Sequence, residues 1–141
     1  MTQEQKDLLL KDLCARLPYG VKVAFLNEDL THHSEPKTLI RIECINNLNY
    51  SRLEDEDGNT TIVEFVKPYL LPISGMTEEQ EVEFDKMSEL DSEYIITQIK
   101  NDSPNWTSGL NRYNWLIKNH FDVYDLIPMG LANDATGLNI Y

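Results

Sequence analysis

The sequence lacks every short motif by which common enzyme classes are recognised. It contains no P-loop, no dinucleotide-binding glycine pattern, no H-E-x-x-H, no C-x-x-C and no G-x-S-x-G. These absences do not exclude catalysis, but they remove each specific argument for it. We therefore predict no cofactor.

Long hydrophobic runs are also lacking. No apolar segment approaches the roughly 18 residues of a membrane-spanning helix. The opening residues, MTQEQKDLLL, have acids and amides where a secretory signal needs basic residues and a longer apolar run. We expect a cytoplasmic protein that does not contact a membrane.

Cysteine occurs only twice among the 141 residues. Cys14 shares a helical face with Leu10 and Leu17, and Cys44 alternates with Ile42 in a strand pattern. Because free cysteine is among the most buried residue types, both are predicted to pack in the core. Two cysteines thirty residues apart could form a disulfide, but nothing in the sequence indicates an oxidising compartment.

Positive charge is scarce, with 12 lysines and arginines against 24 acids, for a net charge of −12. Most of the excess negative charge lies in residues 77–102 and in the acidic run 54–57. The run 54–57 is expected to be solvated. A polyanionic surface repels phosphate backbones, so nucleic-acid binding is disfavoured. The same charge does not disfavour binding to a basic partner protein.

What the sequence does contain predicts one α+β domain over 1–141. Residues 1–20 form a first helix, with Thr2 as the start of a capping box. Alternating residues over 21–72 predict a small antiparallel sheet, either a meander or an SH3-like curled sheet. The remainder, 76–141, is predicted to be helical.

Local signals refine the middle of the chain. Asp57-Gly58 stands between two strand-like runs, where a tight hairpin turn is expected. Pro68 and Pro72 hold the chain extended and argue against a central strand. Thr77 then caps a long acidic helix.

The second helix of the C-terminal part is predicted to form an antiparallel hairpin with this acidic helix. Its apolar residues fall within one arc of roughly 140°; they are Leu110, Tyr113, Leu116, Ile117, His120 and Phe121. Trp115 falls on the opposite side, so it must meet a second layer of structure or stay partly exposed.

Three segments resemble a known group of proteins: DLCARLPYGVKV, VKPYLLPISGMTEEQ and WLIKNHFDVYDLIPMGLA. They are similar to segments of an uncharacterised family of small proteins from gut Bacteroides-type genomes and their phages or mobile elements. The resemblance implies a compact cytosolic protein of phage or mobile-element origin. It carries over no catalytic or binding residue.

The histidines are the candidates for chemistry. His32 and His33, with nearby carboxylates, are a weak candidate metal site, although a polar surface loop explains them equally well. His120 and Asp122 form an H-x-D pair that resembles a base and its orienting acid. A structural role for His120 at a helix end is the simpler interpretation.

The leading hypothesis is a small acidic, non-enzymatic protein that binds another, basic protein. Glu79, Glu83 and Glu93 on the acidic helix and an exposed Trp115 are its candidate contacts. A solvated helix face and a packed tryptophan are the structural alternatives. The competing functional hypothesis is a small metal-dependent or acid–base enzyme that uses His32, His33 or His120.

Overall fold

The computed structural model describes residues 1–31, 35–45, 50–87 and 110–141. It confirms the α+β class predicted from the sequence. The helices are α1 (Gln3–Arg16), α2 (78–87 within the described part) and α3 (Leu110–Lys118). The strands are β1 (Lys22–Phe25), β2 (Lys37–Ile45), β3 (Tyr50–Asp55), β4 (Thr60–Thr61), β5 (Val66–Leu70) and β6 (Asn133–Asp134). Short 3₁₀ helices lie at Leu17–Tyr19, Val63–Phe65 and Ile73–Gly75.

The strands form one sheet in the order β4-β3-β2-β1-β5-β6. The first five strands pair antiparallel, which confirms the sheet predicted for residues 21–72, and β6 lies parallel to β5. The sequence does not predict β6, because two residues are too few to show an alternating pattern. Beside it, the backbone N–H of Ala135 donates to the carbonyl of Leu70 at 2.8 Å.

Pro68 lies inside β5, opposite Val23 of β1. The expectation that this proline excludes a central strand is therefore wrong. Proline has no N–H to donate, but β6 pairs only with Tyr69 and Leu70, beyond the proline. Strand β5 thus has a neighbour on each side without requiring a hydrogen bond from Pro68.

Helix α1 begins as the sequence predicts. The Gln5 backbone N–H donates to Thr2 Oγ1 at 3.2 Å, and the Thr2 N–H donates to Gln5 Oε1 at 3.0 Å. This reciprocal capping box satisfies two N–H groups that have no partner inside the helix. Leu9 and Leu13 then point into the core and are fully buried.

Both cysteines are exposed, so their predicted burial is wrong. The buried face of α1 is centred on Leu9 and Arg16, and Cys14 lies about 140° from Leu9 around the helix, on the solvent side with the exposed Gln3 and Asp7. Cys44 lies towards the end of β2 that β1 does not cover, because β1 pairs only with the start of β2.

The main core lies between α1 and one face of the sheet. Its buried members come from α1, from the strands and from the segment after α3; they include Leu9, Leu13, Val21, Val23, Leu39, Leu53, Val66, Leu70, Leu126 and Leu131. On the other side of β1 and β5, Ala24 and Tyr69 pack with Ala135. The C-terminal segment therefore contributes to both faces of the sheet.

The β3–β4 hairpin differs from the solvated acidic tip that the sequence predicts. Asp55 is buried, with 1% of its surface exposed. Its Oδ1 accepts the backbone N–H groups of Asp57 at 2.9 Å and Asn59 at 3.0 Å. Gly58 adopts φ 83°, the left-handed conformation that the tight turn requires. Asp55 is thus an internal brace of the turn.

A buried ion pair joins α1 to the C-terminal segment. Both side chains of Asp12 and Arg16 are fully buried, with Nε to Oδ2 at 2.8 Å and Nη2 to Oδ1 at 2.9 Å. Arg16 Nη2 also donates to the carbonyl oxygen of Phe121 at 2.6 Å. Burial raises the pKa of Asp12, and Arg16 opposes that rise.

Replacing Arg16 by Met should lower the free energy of unfolding by about 3–5 kcal/mol, because Asp12 is left buried without a counter-charge. The double variant Asp12→Leu/Arg16→Met removes both charges, so its free energy of unfolding should fall clearly less. Urea denaturation of both variants measures this difference. A double variant as unstable as the single one would show that the unpaired charge is not the cause.

Candidate interaction surface

Helices α2 and α3 pack through a cluster of three aromatic rings, in which Trp115 and Phe121 are stacked and Phe84 is tilted against Trp115. Trp115 lies between Phe84 of α2 and Phe121, with ring centroids 5.7 Å apart on each side. Only 9% of Trp115 is exposed. The expectation of an exposed Trp115 is therefore wrong, and the second structural layer that it meets is α2. The turn of the predicted helical hairpin lies outside the described residues.

Polar contacts surround this cluster. The indole N–H of Trp115 donates to Glu83 Oε2 at 3.3 Å. The guanidinium of Arg112 lies over the Phe84 ring, with Cζ 5.9 Å from its centroid, which favours a cation–π attraction. Glu83 is exposed, yet it also takes part in holding the two helices together.

The opposite side of α2 faces solvent. At about 100° per residue, the half-buried Gln80, Phe84 and Met87 share one side. The other side presents Glu78, Glu81 and Asp85 with Val82 beside them, and all four are exposed. We call these four residues the acidic face of α2. Val82 is 54% exposed and lies at the edge of the three carboxylates, where the exposed Lys86 is its neighbour on the other side.

The acids predicted as partner contacts are distributed differently. Glu79 is exposed on the flank of α2, next to the acidic face, and Glu83 lies on the same flank against Trp115. Glu93 lies outside the described residues. Sequence reasoning missed Val82 because it searched for charge, although a lone apolar residue on the solvent side of a helix is a readable signal.

The acidic run of the hairpin, in contrast, is matched by cations from the strands. Arg41 Nη2 lies 2.6 Å from Glu54 Oε2, and Lys37 Nζ lies 2.9 Å from Asp57 Oδ2. Lys22 Nζ lies 3.9 Å from Glu56. Within the described parts of the chain, no such ion pair involves Glu78, Glu81 or Asp85. Of these two acidic segments, α2 is therefore the one whose negative charge is not compensated by ion pairs among the described residues.

His120 has the backbone geometry of a helix terminator. It adopts φ 64°, and its N–H donates to Ile117 at 3.1 Å, while the N–H of Phe121 donates to Leu116 at 2.9 Å. These two bonds close α3 in the manner of a Schellman motif, where glycine is the usual residue. The structural role of His120 is therefore to end α3.

The imidazole of His120 is enclosed. It is 8% exposed and stacks on the Tyr141 ring, with centroids 3.7 Å apart. Nδ1 is buried and has no hydrogen-bond partner among the described residues. Burial, and secondarily the positive charge of Arg16, lowers the pKa of His120 to about 4. The ring is therefore neutral at pH 7.

The structure does not bring His120 and Asp122 together as a base and its orienting acid. Both carboxylate oxygens of Asp122 accept backbone N–H groups, from Leu126 and Ile127, each at 2.9 Å. Asp122 therefore caps the turn that follows α3. His32 and His33 lie outside the described residues, and the described residues contain no cluster of three or more metal-binding side chains.

Comparisons with known proteins give no relative from which a role can be transferred. No protein-family model matches the chain, and the searches of curated proteins and of solved structures found no match. Within the described residues, no helix is both long and apolar enough to cross a membrane. The geometry of the surface is therefore the basis for the proposal below.

The buried imidazole predicts a specific acid sensitivity. The pKa of His120 is about 4 in the folded chain and about 6.5 when unfolded, so protonation favours unfolding. The stability that neutral His120 contributes is complete above pH 6.5 and is lost as the pH falls towards 4. The free energy of unfolding should fall by about 2–3 kcal/mol over this pH interval.

The variant His120→Asn provides the control, because asparagine does not titrate and tolerates a positive φ. When the pH is lowered from 7 to 4, the free energy of unfolding measured with denaturant should fall less for the variant than for the wild type. The raised pKa of Asp12 acts in the opposite direction and affects both proteins alike. Equal losses in the two proteins would contradict the assignment.

Proposed function

We propose that this chain is a non-enzymatic interaction protein that binds a basic partner protein through the acidic face of α2. The observation that carries the proposal is that Glu78, Glu81 and Asp85 lie together on the solvent side of α2, with the exposed Val82 at their edge. Carboxylates steer a basic partner and fix its orientation. An exposed apolar side chain beside them can be desolvated and so supply binding energy.

The contacts that hold α2 against the rest of the protein support the same role. Phe84 and the contact between Glu83 and Trp115 hold the helix by its opposite side. The acidic face is therefore presented on a fixed backbone, so less ordering entropy is lost when a partner binds. The expected partner has a patch of lysine or arginine beside a shallow apolar depression.

The charge distribution favours α2 over the other acidic segment. The described residues of α2 carry five carboxylates and a single lysine, Lys86. The hairpin acids already pair with Arg41, Lys37 and Lys22, so their field is largely compensated. A basic surface therefore gains more from contact with α2.

The enzyme hypothesis has no comparable support. His120 is buried and neutral, and the carboxylate of Asp122 is used as a cap. We therefore do not propose an activity. The origin in a phage or mobile element, and the membership of the family that the sequence resembles, stay predictions.

The test compares two charge-reversed variants of equal net charge. The first carries Glu78→Lys, Glu81→Lys and Asp85→Lys on the acidic face. The control carries Glu4→Lys, Glu28→Lys and Glu35→Lys, three exposed acids on other elements. Each tagged protein is used to capture partners from the lysate of the encoding organism at low salt and at about 0.5 M salt.

A specific partner should bind the wild type and the control at low salt, and it should be released at high salt. The acidic-face variant should bind that partner, once purified, at least about tenfold more weakly. Val82→Ser should also weaken binding, although it changes no charge. Unchanged binding by the acidic-face variant, or equal loss in both triple variants, contradicts the proposal; circular dichroism confirms that α2 remains helical.

A further inference from the structure

The Tyr141 hydroxyl lies in a gap between β1 and β5. These strands pair up to Val23 and Pro68, so the next residues in the same register, Lys22 and Tyr69, come opposite each other. The Lys22 backbone N–H donates to Tyr141 Oη at 2.9 Å, and that hydroxyl donates to the Tyr69 carbonyl at 2.6 Å. The side chain of Tyr141 therefore links the two strands where their direct pairing has ended.

The register explains why a hydroxyl fits this gap. In an antiparallel pair every second residue pair is hydrogen-bonded, and the Leu26 N–H donates to the Phe65 carbonyl at 2.8 Å in the same register. Counting back in steps of two, Lys22 and Tyr69 also point an N–H and a carbonyl at each other's strand. A group between them must accept one hydrogen bond and donate another. Burial raises the pKa of Tyr141, so its hydroxyl keeps the proton that it donates.

His120 supplies a flat wall beside the gap. Its imidazole stacks on the Tyr141 ring, with centroids 3.7 Å apart and 11° between the two planes. The His120 carbonyl accepts the Leu71 N–H at 2.8 Å, which ties the backbone of His120 to the end of β5. A flat aromatic ring can cover this imidazole, whereas an aliphatic alcohol would satisfy only the two hydrogen bonds.

The groups that hold Tyr141 do not belong to its own segment. They come from the start of β1, the end of β5 and the turn that ends α3. Residues 136–139 are all exposed, and Tyr141 itself is 45% exposed. Between them, Ile140 packs beside Ala24 and Tyr69 on the outer side of the sheet. Tyr141 is thus a ligand on a surface tether, and it meets a site that the rest of the fold builds.

We propose that the Lys22 N–H, the Tyr69 carbonyl and the His120 ring form a binding site for one phenol group. Tyr141 fills this site in the isolated chain, and a tyrosine of another polypeptide or a small phenol can replace it. Two features select a phenol: its hydroxyl both accepts and donates, and its ring stacks on the imidazole. The site includes no residue of the acidic face of α2, so this proposal is independent of the proposed partner-binding function.

The test removes the tethered ligand by Tyr141→Gly in the full chain and offers three small probes in its place. The side chain of tyrosine corresponds to p-cresol, while 4-methylanisole can accept but not donate a hydrogen bond, and toluene can do neither. At about 2 mM, p-cresol should raise the thermal midpoint of the variant by about 3 °C, because it binds only the folded form. The other two probes should raise it by less than about 1 °C. The wild type, whose site is filled, should not respond.

Two-dimensional NMR locates the binding. In Tyr141→Gly, p-cresol should shift the resonances of the Lys22 amide and the His120 ring, and it should leave those of the wild type unchanged. The acetylated peptide of residues 136–141 distinguishes the source of the phenol. A dissociation constant at least about tenfold below that of p-cresol indicates a tyrosine in a polypeptide, and an equal constant indicates a small phenol. Either result supports the site.

No response to p-cresol, or equal responses to all three probes, overturns the proposal, because the hydroxyl would then play no part. So does a Lys22 amide that exchanges with solvent as slowly in Tyr141→Gly as in the wild type, since β1 and β5 would then have closed the gap. If the variant is unfolded by itself, p-cresol should restore the circular dichroism spectrum of the folded chain. Failure to restore it also overturns the proposal.

Discussion

The buried guanidinium of Arg16 is the constraint on which the C-terminal half of the fold depends. Burying an arginine is costly unless its donors are satisfied. Here the Asp12 carboxylate and the Phe121 backbone carbonyl accept the hydrogen bonds of Nε and Nη2, while Nη1 is buried and has no partner among the described residues. The position of the chain after α3 relative to α1 is therefore fixed by a polar contact, since sliding that chain would leave a buried donor unpaired.

From this contact a continuous series of interactions reaches the surface. The backbone of Phe121 is held by Arg16, and its ring stacks on Trp115 at an interplanar angle of 12°. Trp115 in turn packs against Phe84, whose helix presents the acidic face on its other side. The surface that we propose for partner binding is thus connected, through these contacts, to a fully buried ion pair.

The sequence predicts the parts of this fold that depend on local signals. The capping box at Thr2 and the antiparallel sheet over residues 21–72 follow from residue type and alternation, and both are confirmed. The acidic helix beginning after Thr77 is another such case: Thr77 Oγ1 accepts the N–H of Gln80, as the capping pattern predicts.

Features set by distant neighbours were not predictable in the same way. The burial of Trp115 depends on Phe84 and Phe121, which lie on different elements. The exposure of Cys14 depends on how α1 is rotated against the sheet, and that of Cys44 on how little of β2 is covered by β1. The burial of Arg16 could have been predicted from the sequence, because Asp12 and Arg16 share the helical face of Leu9 and Leu13. It was missed because both residues are charged.

The contacts of Tyr141 have a consequence for the order in which the protein forms. The Tyr141 hydroxyl donates to the carbonyl of Tyr69 at 2.6 Å and accepts the N–H of Lys22 at 2.9 Å, 119 positions earlier in the chain. Its ring also covers His120. Such distant contacts close late in folding. During synthesis, strands β1 to β5 can pair while the chain is still growing, but this brace cannot form until residue 141 has left the ribosome. Until then the nascent sheet depends on its other contacts, and His120 remains without its ring cover.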